Sequence, residues 1–254
     1  MLRQEENHSL PDNIILDRLP LFNILMYNIR MKICHISDTH NCDKDLDALV
    51  PQDIDMLIFT GDLTYKGADW EIDRVLEQFR ILSLRIPHIV GILGNHEVGC
   101  QGKETELKQQ FMDAGVHLLH NNSVTIEGIK IWGTPYSPYF FNWAYQYENP
   151  IYVAQYAGEY IPSAKDIWDQ VPEDTNILLS HGPPKFILDW CPNGNVGCQV
   201  LREKTESLPE LKYSMFGHIH SGYGITTIGK VTYVNNSIMN NGYKFVNKPN
   251  IFNY

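Results

Sequence analysis

Short apolar runs alternate with longer amphipathic stretches along most of this chain. The apolar runs are bounded by Gly, Pro or polar residues, as strands commonly are. They are residues 32–37, 55–60, 88–93, 129–132, 176–180 and 213–216. Two intervening stretches, 69–85 and 103–114, place apolar residues at helical spacing, and Gly115 follows the second as a predicted C-cap. This alternation predicts a layered α/β fold.

Two parts of the chain lack this alternation. Residues 1–30 show no periodic pattern, and we interpret them as an amino-terminal extension before a single domain over residues 31–254. Residues 136–175 form an insertion without a comparable strand pattern, and it begins with an aromatic run from Tyr136 to Tyr147. We expect this run to be either a lid that stacks on a nucleobase or a small satellite core under a long loop.

Side chains that can bind metal follow five of the six predicted strands. They are Asp38 and His40, Asp62, Asn95 and His96, His181, and finally His218 and His220. In open α/β sheets, ligand sites gather beyond the carboxyl ends of the strands, where residues from different strands converge. Asp, Asn and His are unfavourable at buried strand ends unless they have partners. The pattern therefore predicts one site built from several strands.

The kinds of side chain in this set indicate a two-metal site. Oxygen and imidazole donors suit Mn, Fe, Zn, Co or Ni, and the lack of thiolates argues against a structural zinc finger. Two ions about 3.5–4 Å apart can clamp the oxygens of a phosphoryl group and lower the pKa of a bound water towards about 7. A shared carboxylate can bridge the ions because each of its oxygens can bind one, and Asp62 is the candidate.

Net charge and cysteine count indicate which class of ligand the chain binds and whether its thiols are reduced. The 254 residues include 20 Lys and Arg against 30 Asp and Glu, a net charge of −10. Without a basic patch a nucleic-acid polymer is disfavoured, whereas a small phosphate ester is compatible because bound metals dominate the local field. The odd cysteine count of 5 favours reduced thiols, with a local Cys191–Cys198 bridge as the alternative.

Neither a membrane span nor a secretory signal is evident in the sequence. A span needs an apolar run of about 18–20 residues, and none is found. A signal peptide needs a basic start, a clean apolar run and a small-residue cleavage site. We therefore expect a cytoplasmic protein that does not enter a membrane, and the oligomeric state stays open.

The ordered motifs resemble those of the calcineurin-like metallophosphoesterase superfamily. The matching blocks are Asp38-x-His40, Gly61-Asp62, Gly94-Asn95-His96-Glu97, His181 and Gly217-His218-x-His220, and the resemblance covers about residues 32–240. The protein Ser/Thr phosphatase branch carries Asp-Arg where this chain has Tyr65-Lys66, which argues against that branch. Residues 132–140, 181–184 and 217–224 are more similar to the metallophosphoesterase-domain-containing proteins of animals and microbes.

This resemblance implies a fold and a set of site residues. The fold is a two-sheet β-sandwich flanked by helices. The first metal is expected on Asp38, His40, His220 and bridging Asp62. The second metal is expected on Asp62, Asn95, His181 and His218. His96 is expected beside the phosphate, where it stabilises the transition state or protonates the leaving oxygen, with Glu97 orienting it.

The resemblance also implies a reaction. A metal-bridging hydroxide is expected to attack a small phosphodiester, with cyclic nucleotides among the substrates, and Mn²⁺ is the first metal expected. A phosphomonoesterase or a nuclease that uses the same site is the alternative. A non-enzymatic scaffold is a third reading, but scaffolds of this superfamily typically lose ligands, and this chain keeps both His218 and His220.

Overall fold

The computed structural model describes residues 31–41, 45–147 and 162–254, so the predicted extension and the middle of the insertion lie outside the described residues. The longer strands are β1 (Lys32–Ile36), β2 (Met56–Thr60), β3 (His88–Ile92), β4 (Val116–Leu118), β5 (Asn122–Ile126), β6 (Ile129–Thr134), β9 (Ile177–Ser180), β12 (Tyr213–Phe216), β13 (Gly224–Ile228), β14 (Val231–Asn235) and β15 (Asn250–Asn253). The two-residue strands are β7 (Ser137–Pro138), β8 (Gln146–Tyr147), β10 (Trp190–Cys191) and β11 (Gly194–Asn195).

The α-helices are α1 (Leu46–Leu49), α2 (Asp69–Ser83), α3 (Glu104–Asp113), α4 (Ala164–Trp168) and α5 (Gln199–Ser207). Short 3₁₀ helices cover Val98–Cys100 and His220–Gly222. In the part of the chain that the structure describes, no helix has both the length and the hydrophobicity needed to cross a bilayer.

The first large sheet has five strands in the order β15-β1-β2-β3-β4. Strands β1 to β4 are parallel, and β15 joins the edge antiparallel to β1. Parallel neighbours require crossover connections, and α1, α2 and α3 supply them. These helices cover one face of the sheet, where the rings of Phe59, Phe79 and Phe111 pack together.

The second large sheet has six strands in the order β13-β14-β12-β9-β6-β5. Its four central strands are parallel, and the two edge strands are antiparallel to their neighbours. Helices α4 and α5 cover its outer face, where Trp132 packs against Trp168. A third apolar cluster, with Ile58 and Val90 from the first sheet and Leu179 from the second, lies between the sheets. The two-sheet sandwich flanked by helices is therefore confirmed.

The hydrophobic pattern located all the central strands except β14 and missed the edge strands. Each of the six predicted strands corresponds to an observed strand, and the two predicted helices correspond to α2 and α3. Gly115 follows α3 with a φ of 80°, as expected of a residue that ends a helix. The edge strands β5, β13 and β15 alternate partly buried and exposed residues, so no continuous apolar run marks them.

Cys191 and Cys198 are free thiols, so the alternative of a local bridge is wrong.

Candidate metal centre

Loops at the carboxyl ends of β1, β2, β3, β9 and β12 carry the predicted metal ligands. Several of these residues have a left-handed backbone: φ is 54° at Asp38, 42° at His40, 51° at Asp62 and 66° at His218. This conformation is uncommon outside glycine, so surrounding contacts must hold it in place. These residues turn the chain after β1, β2 and β12, where the loops bring side chains from both sheets together.

Two glycines allow the backbone to approach the carboxylates closely. A Cβ atom on Gly94 would lie 2.4 Å from Asp62 Oδ1. A Cβ atom on Gly217 would lie 2.1 Å from Asp38 Oδ2. Both distances are far below a van der Waals contact, so the Gly that precedes Asn95 and the Gly that precedes His218 are steric requirements of the site.

The first donor group consists of Asp38, His40 and His220, whose ligand atoms lie within 4.8 Å of one another. His220 Nε2 lies 3.5 Å from Asp38 Oδ1 and 3.3 Å from His40 Nε2. The Nδ1 atom of His40 faces the Thr64 carbonyl at 3.3 Å, and that of His220 faces the Asn240 carbonyl at 3.0 Å. With both Nδ1–H groups donating to carbonyls, the two Nε2 lone pairs face each other. A cation between them would satisfy both.

The second donor group consists of Asp62, His181 and His218. His181 Nε2 lies 3.3 Å from Asp62 Oδ2 and 2.8 Å from Asn95 Oδ1. Its Nδ1 atom faces the Thr60 carbonyl at 2.8 Å, which directs Nε2 into the site. The ring of His218 packs edge-on against that of His181, with 4.8 Å between the ring centroids. The structure thus brings together the four donors predicted for the second ion.

Asp62 lies between the two groups. Its Oδ2 atom is 3.3 Å from His181 Nε2 and 3.8 Å from His40 Nε2. Its Oδ1 atom accepts a hydrogen bond from the His96 backbone N–H at 2.9 Å. Sequence reasoning assigned one carboxylate oxygen to each ion. Both short distances to the imidazoles are to Oδ2, so Oδ2 is the oxygen that faces both groups.

The electrostatic state of these side chains suits a cation. Burial lowers the pKa of His40 to about 4 and that of His218 to about 3, which leaves both imidazoles neutral with free lone pairs. Burial acts to raise the pKa of Asp38 and of Asp62, but neighbouring imidazoles outweigh it and hold both pKa values below their usual range. Burial would lower the pKa of His181, but Asp62 outweighs it and raises that pKa to about 9. The anionic carboxylates and the neutral imidazoles of His40 and His218 fit divalent ions, and an ion bound beside Asp62 would displace the proton that this carboxylate favours on His181.

The ring of His96 lies at the edge of the site and is held from two directions. Its Nδ1 atom faces the Tyr65 carbonyl at 3.0 Å. Its face stacks on Trp143, with 4.1 Å between the centroids and 26° between the planes. His96 also forms a compact group with His40 and Asp62, so its assignment as a phosphate contact rather than a ligand stays a prediction.

Glu97 has a different place from the one predicted. It is fully buried, and its carboxylate accepts hydrogen bonds from the backbone N–H groups of Asp62, Thr64 and Gly94 at 3.1, 2.9 and 2.6 Å. Burial and then the charge of Asp62 raise its pKa to about 7, against the effect of these N–H donors. The prediction that Glu97 orients the imidazole of His96 is therefore wrong. Its carboxylate instead ties together the loops that follow β2 and β3.

A cleft of about 580 Å³ opens onto both donor groups. Its floor includes Asp62, Asn95, His96, His218 and His220. Its walls include Pro138, Tyr139, Phe140 and Trp143 from the insertion, Cys191, Pro192, Asn193 and Val196 around the β10–β11 hairpin, and Asn241 and Tyr243. The aromatic run thus divides: Tyr145 and Tyr147 are buried in the core clusters and Tyr136 packs against them. Tyr139, Phe140 and Trp143 line the cleft, and Phe141 is exposed.

Sequence reasoning missed the segment after β14 as part of the site. The ring centroid of Tyr243 lies 4.9 Å from that of His40 and 5.4 Å from that of His220. Tyr243 has a φ of 53°, in a turn where Asn240 Oδ1 accepts a hydrogen bond from the Gly242 N–H at 3.0 Å. The Asn-Asn-Gly sequence marks a turn. Its nearness to the site depends on the tertiary fold.

A two-sheet sandwich with a crowded carboxylate and imidazole centre at the base of an open cleft defines a metal-dependent hydrolase. Comparison with known proteins specifies the class. The family model described as Calcineurin-like phosphoesterase matches residues 31–222. The chain belongs to this family and is a metal-dependent phosphoesterase.

Individual relatives agree with this assignment. "Metallophosphoesterase domain-containing protein 1" of Homo sapiens is 30% identical over 240 residues, which cover 84% of this chain and 68% of that protein. "UPF0046 protein K07C11.7" of Caenorhabditis elegans is 29% identical over 241 residues, which cover 87% and 74%. The solved structure of Phosphopantetheinyl Hydrolase from Mycobacterium tuberculosis shares the fold, with a TM-score of 0.56 at 15% identity over 82% of this chain and 89% of that chain.

Proposed function

We propose that this chain hydrolyses a small phosphodiester, with cyclic nucleotides among its substrates, at a site that binds two divalent ions. The observation that carries the proposal is the position of Asp62 Oδ2, within 3.3 Å of His181 Nε2 and 3.8 Å of His40 Nε2, below an aromatic cleft. A carboxylate oxygen between two donor groups is compatible with two ions about 3.5–4 Å apart, as two-metal phosphoesterases use.

The proposed ligands follow the two groups. Asp38, His40 and His220 would hold one ion with Asp62. Asn95, His181 and His218 would hold the other with Asp62. When bound, the ions supply positive charge at the phosphate oxygens and lower the pKa of a nucleophilic water. Mn²⁺ is the first candidate, and the same mixed donors suit Fe, Zn, Co or Ni.

His96 is the proposed contact for the leaving oxygen. The Tyr65 carbonyl occupies its Nδ1 side at 3.0 Å, so the Nε2 side remains for the substrate. Stacking on Trp143 restricts rotation of the ring. A positioned imidazole that protonates a leaving group contributes about 100-fold to 10,000-fold to the rate.

The walls of the cleft favour a diester with a bulky substituent. None of the described residues that line the cleft is Lys or Arg, and the chain carries a net charge of −10. A monoester dianion would find no cationic side chain among these residues, whereas a diester carries a single negative charge. Its second substituent can pack on Tyr139, Phe140 and Trp143, and aromatic faces bind nucleobases well.

The test compares two aryl esters. Protein loaded with Mn²⁺ should release nitrophenol from bis(p-nitrophenyl) phosphate, with a kcat/KM at least about tenfold above that for p-nitrophenyl phosphate, a barrier difference of about 1.4 kcal/mol. Treatment with EDTA should abolish the activity, and Mn²⁺ should restore it.

Other outcomes assign other functions. A faster reaction with the monoester would support a phosphomonoesterase, and efficient cleavage of single- or double-stranded DNA would support a nuclease. Protein that binds two equivalents of metal and hydrolyses none of these substrates would contradict the proposal. Activity measured with a panel of cyclic nucleotides then shows which of them the protein hydrolyses.

A further inference from the structure

The loop between β2 and α2, residues 64–68, orients two imidazoles of the site. The Thr64 carbonyl faces Nδ1 of His40 at 3.3 Å, and the Tyr65 carbonyl faces Nδ1 of His96 at 3.0 Å. A carbonyl at Nδ1 fixes both the tautomer and the ring orientation of a histidine. The position of this loop therefore affects a proposed ligand and the proposed leaving-group contact together.

Glu71 holds the N–H side of the same loop. Its Oε1 atom accepts a hydrogen bond from the Tyr65 N–H at 2.9 Å. Its Oε2 atom accepts hydrogen bonds from the Lys66 N–H and the Ala68 N–H, both at 3.0 Å. The side chain is buried, with 2% of the residue exposed, and these three donors compensate its desolvated charge.

Tyr65 and Lys66, which provide two of these N–H donors, also contact His96 or the ring that stacks on it. Tyr65 provides the carbonyl at the edge of the imidazole. Lys66 places its ammonium group 4.2 Å from the ring centroid of Trp143, the same ring that stacks on His96. One carboxylate thus fixes the backbone of the residue at the edge of His96 and of the residue that covers its stacking partner.

We infer that Glu71 is a positioning residue for His96, acting through the backbone of Tyr65 and Lys66. This inference rests on the role proposed for His96. A helix cap alone would require only the bond between Glu71 and the Ala68 N–H at the start of α2, and Glu71 makes two more. The additional bonds connect the helix to Tyr65 and Lys66 in the loop of residues 64–68.

The substitution Glu71→Gln separates the two roles. Gln serves in a capping box as Glu does, so α2 should start normally. Its amide has one acceptor oxygen instead of two. With that oxygen in the place of Oε2, the Ala68 and Lys66 N–H groups keep their acceptor and the Tyr65 N–H group loses its own. Glu77→Gln is the matched control, because Glu77 lies on the same helix with a side chain that is 66% exposed and pairs with Arg80.

Two readouts test the inference. In Mn²⁺-loaded protein, Glu71→Gln should lower kcat for bis(p-nitrophenyl) phosphate by about 10-fold to 100-fold, the range that a small misplacement of a catalytic group costs, with KM and metal content unchanged. In metal-free protein, the imidazole Nδ1–H signal of His96, assigned in ¹H–¹⁵N NMR spectra by its loss in His96→Gln, should shift or broaden by exchange. Glu77→Gln should leave both readouts as in the wild type.

Several results would overturn the inference. If Glu71→Gln keeps the wild-type kcat and an unchanged His96 signal, Glu71 acts only as a helix cap. A fall in kcat that comes with lost metal would show a general disturbance of the site. If Glu71→Gln does not fold, Glu71→Asp keeps the charge but is too short to span all three donors, and the same outcomes apply. If wild-type protein hydrolyses no substrate, the proposed function fails, and the NMR comparison still decides whether Glu71 positions His96.

Discussion

The floor and the walls of the cleft are built in different ways. The floor consists of buried and half-buried side chains on loops directly after parallel strands; Asp62 is 2% exposed and His96 only 9%. The walls contain exposed aromatic residues from the insertion and the segment after β14; Phe140 is 49% exposed and Tyr243 45%. The sheets fix the floor, whereas irregular surface segments supply the walls. Substitutions in the floor should therefore change kcat, and substitutions in the walls should change KM.

The largest effect is expected at Asp62. Asp62→Asn removes the charge shared by both donor groups but keeps a residue type that tolerates the φ of 51°. We expect kcat/KM for the aryl diester to fall at least about 1,000-fold, since metal-assisted charge stabilisation contributes several kcal/mol. Elemental analysis should show fewer bound ions. Full activity in this variant would exclude Asp62 as the bridge.

A smaller effect is expected at His96, also in the floor. His96→Gln should lower kcat by about 100-fold, the contribution of a positioned general acid, and leave KM and metal content unchanged. His96 lies in one compact group with His40 and Asp62, so its role as a leaving-group contact must be distinguished from a role as a metal ligand. Measurement of kcat, KM and the bound metal makes this distinction. Loss of an ion in this variant would identify His96 as a ligand.

The smallest effect is expected in the wall. Phe140→Ala should raise KM for the aryl diester by about threefold to tenfold, as loss of one aromatic contact of about 0.5–1.5 kcal/mol would do, with kcat unchanged. Phe186→Ala is the control, because Phe186 is also exposed, at 67%, and is not among the residues that line the cleft. Equal effects in the two variants, or a fall in kcat alone, would contradict the division between floor and walls.

The same division explains what the sequence could predict. The residues of the floor follow strands that form continuous apolar runs, so their positions at one end of the sheets follow from strand geometry. The placement of Tyr243 depends on a left-handed turn and on the packing of that turn against His40, and neither leaves a periodic signal. Trp143 lay in a segment already noted as aromatic, but its stacking on His96 joins two distant parts of the chain.

Glu97 shows the limit of reasoning from neighbouring positions. It directly follows His96 in the sequence, and a carboxylate beside an imidazole suggests a pair. Consecutive residues in a tight loop point in different directions, and the N–H groups of Thr64 and Gly94 bind the carboxylate of Glu97 instead. Those N–H groups belong to loops after two different strands, so only the tertiary structure reveals the contact.

The left-handed residues of the metal centre also affect the stability of the folded chain. Each non-glycine residue in this conformation costs about 1–2 kcal/mol, and Asp38, His40, Asp62 and His218 all adopt it. A ligand that binds only the folded state stabilises that state in proportion to the logarithm of its concentration. Ions bound at this centre would offset the cost of the strained loops. The resistance of this chain to unfolding and proteolysis would then depend on the supply of metal as well as on the sequence.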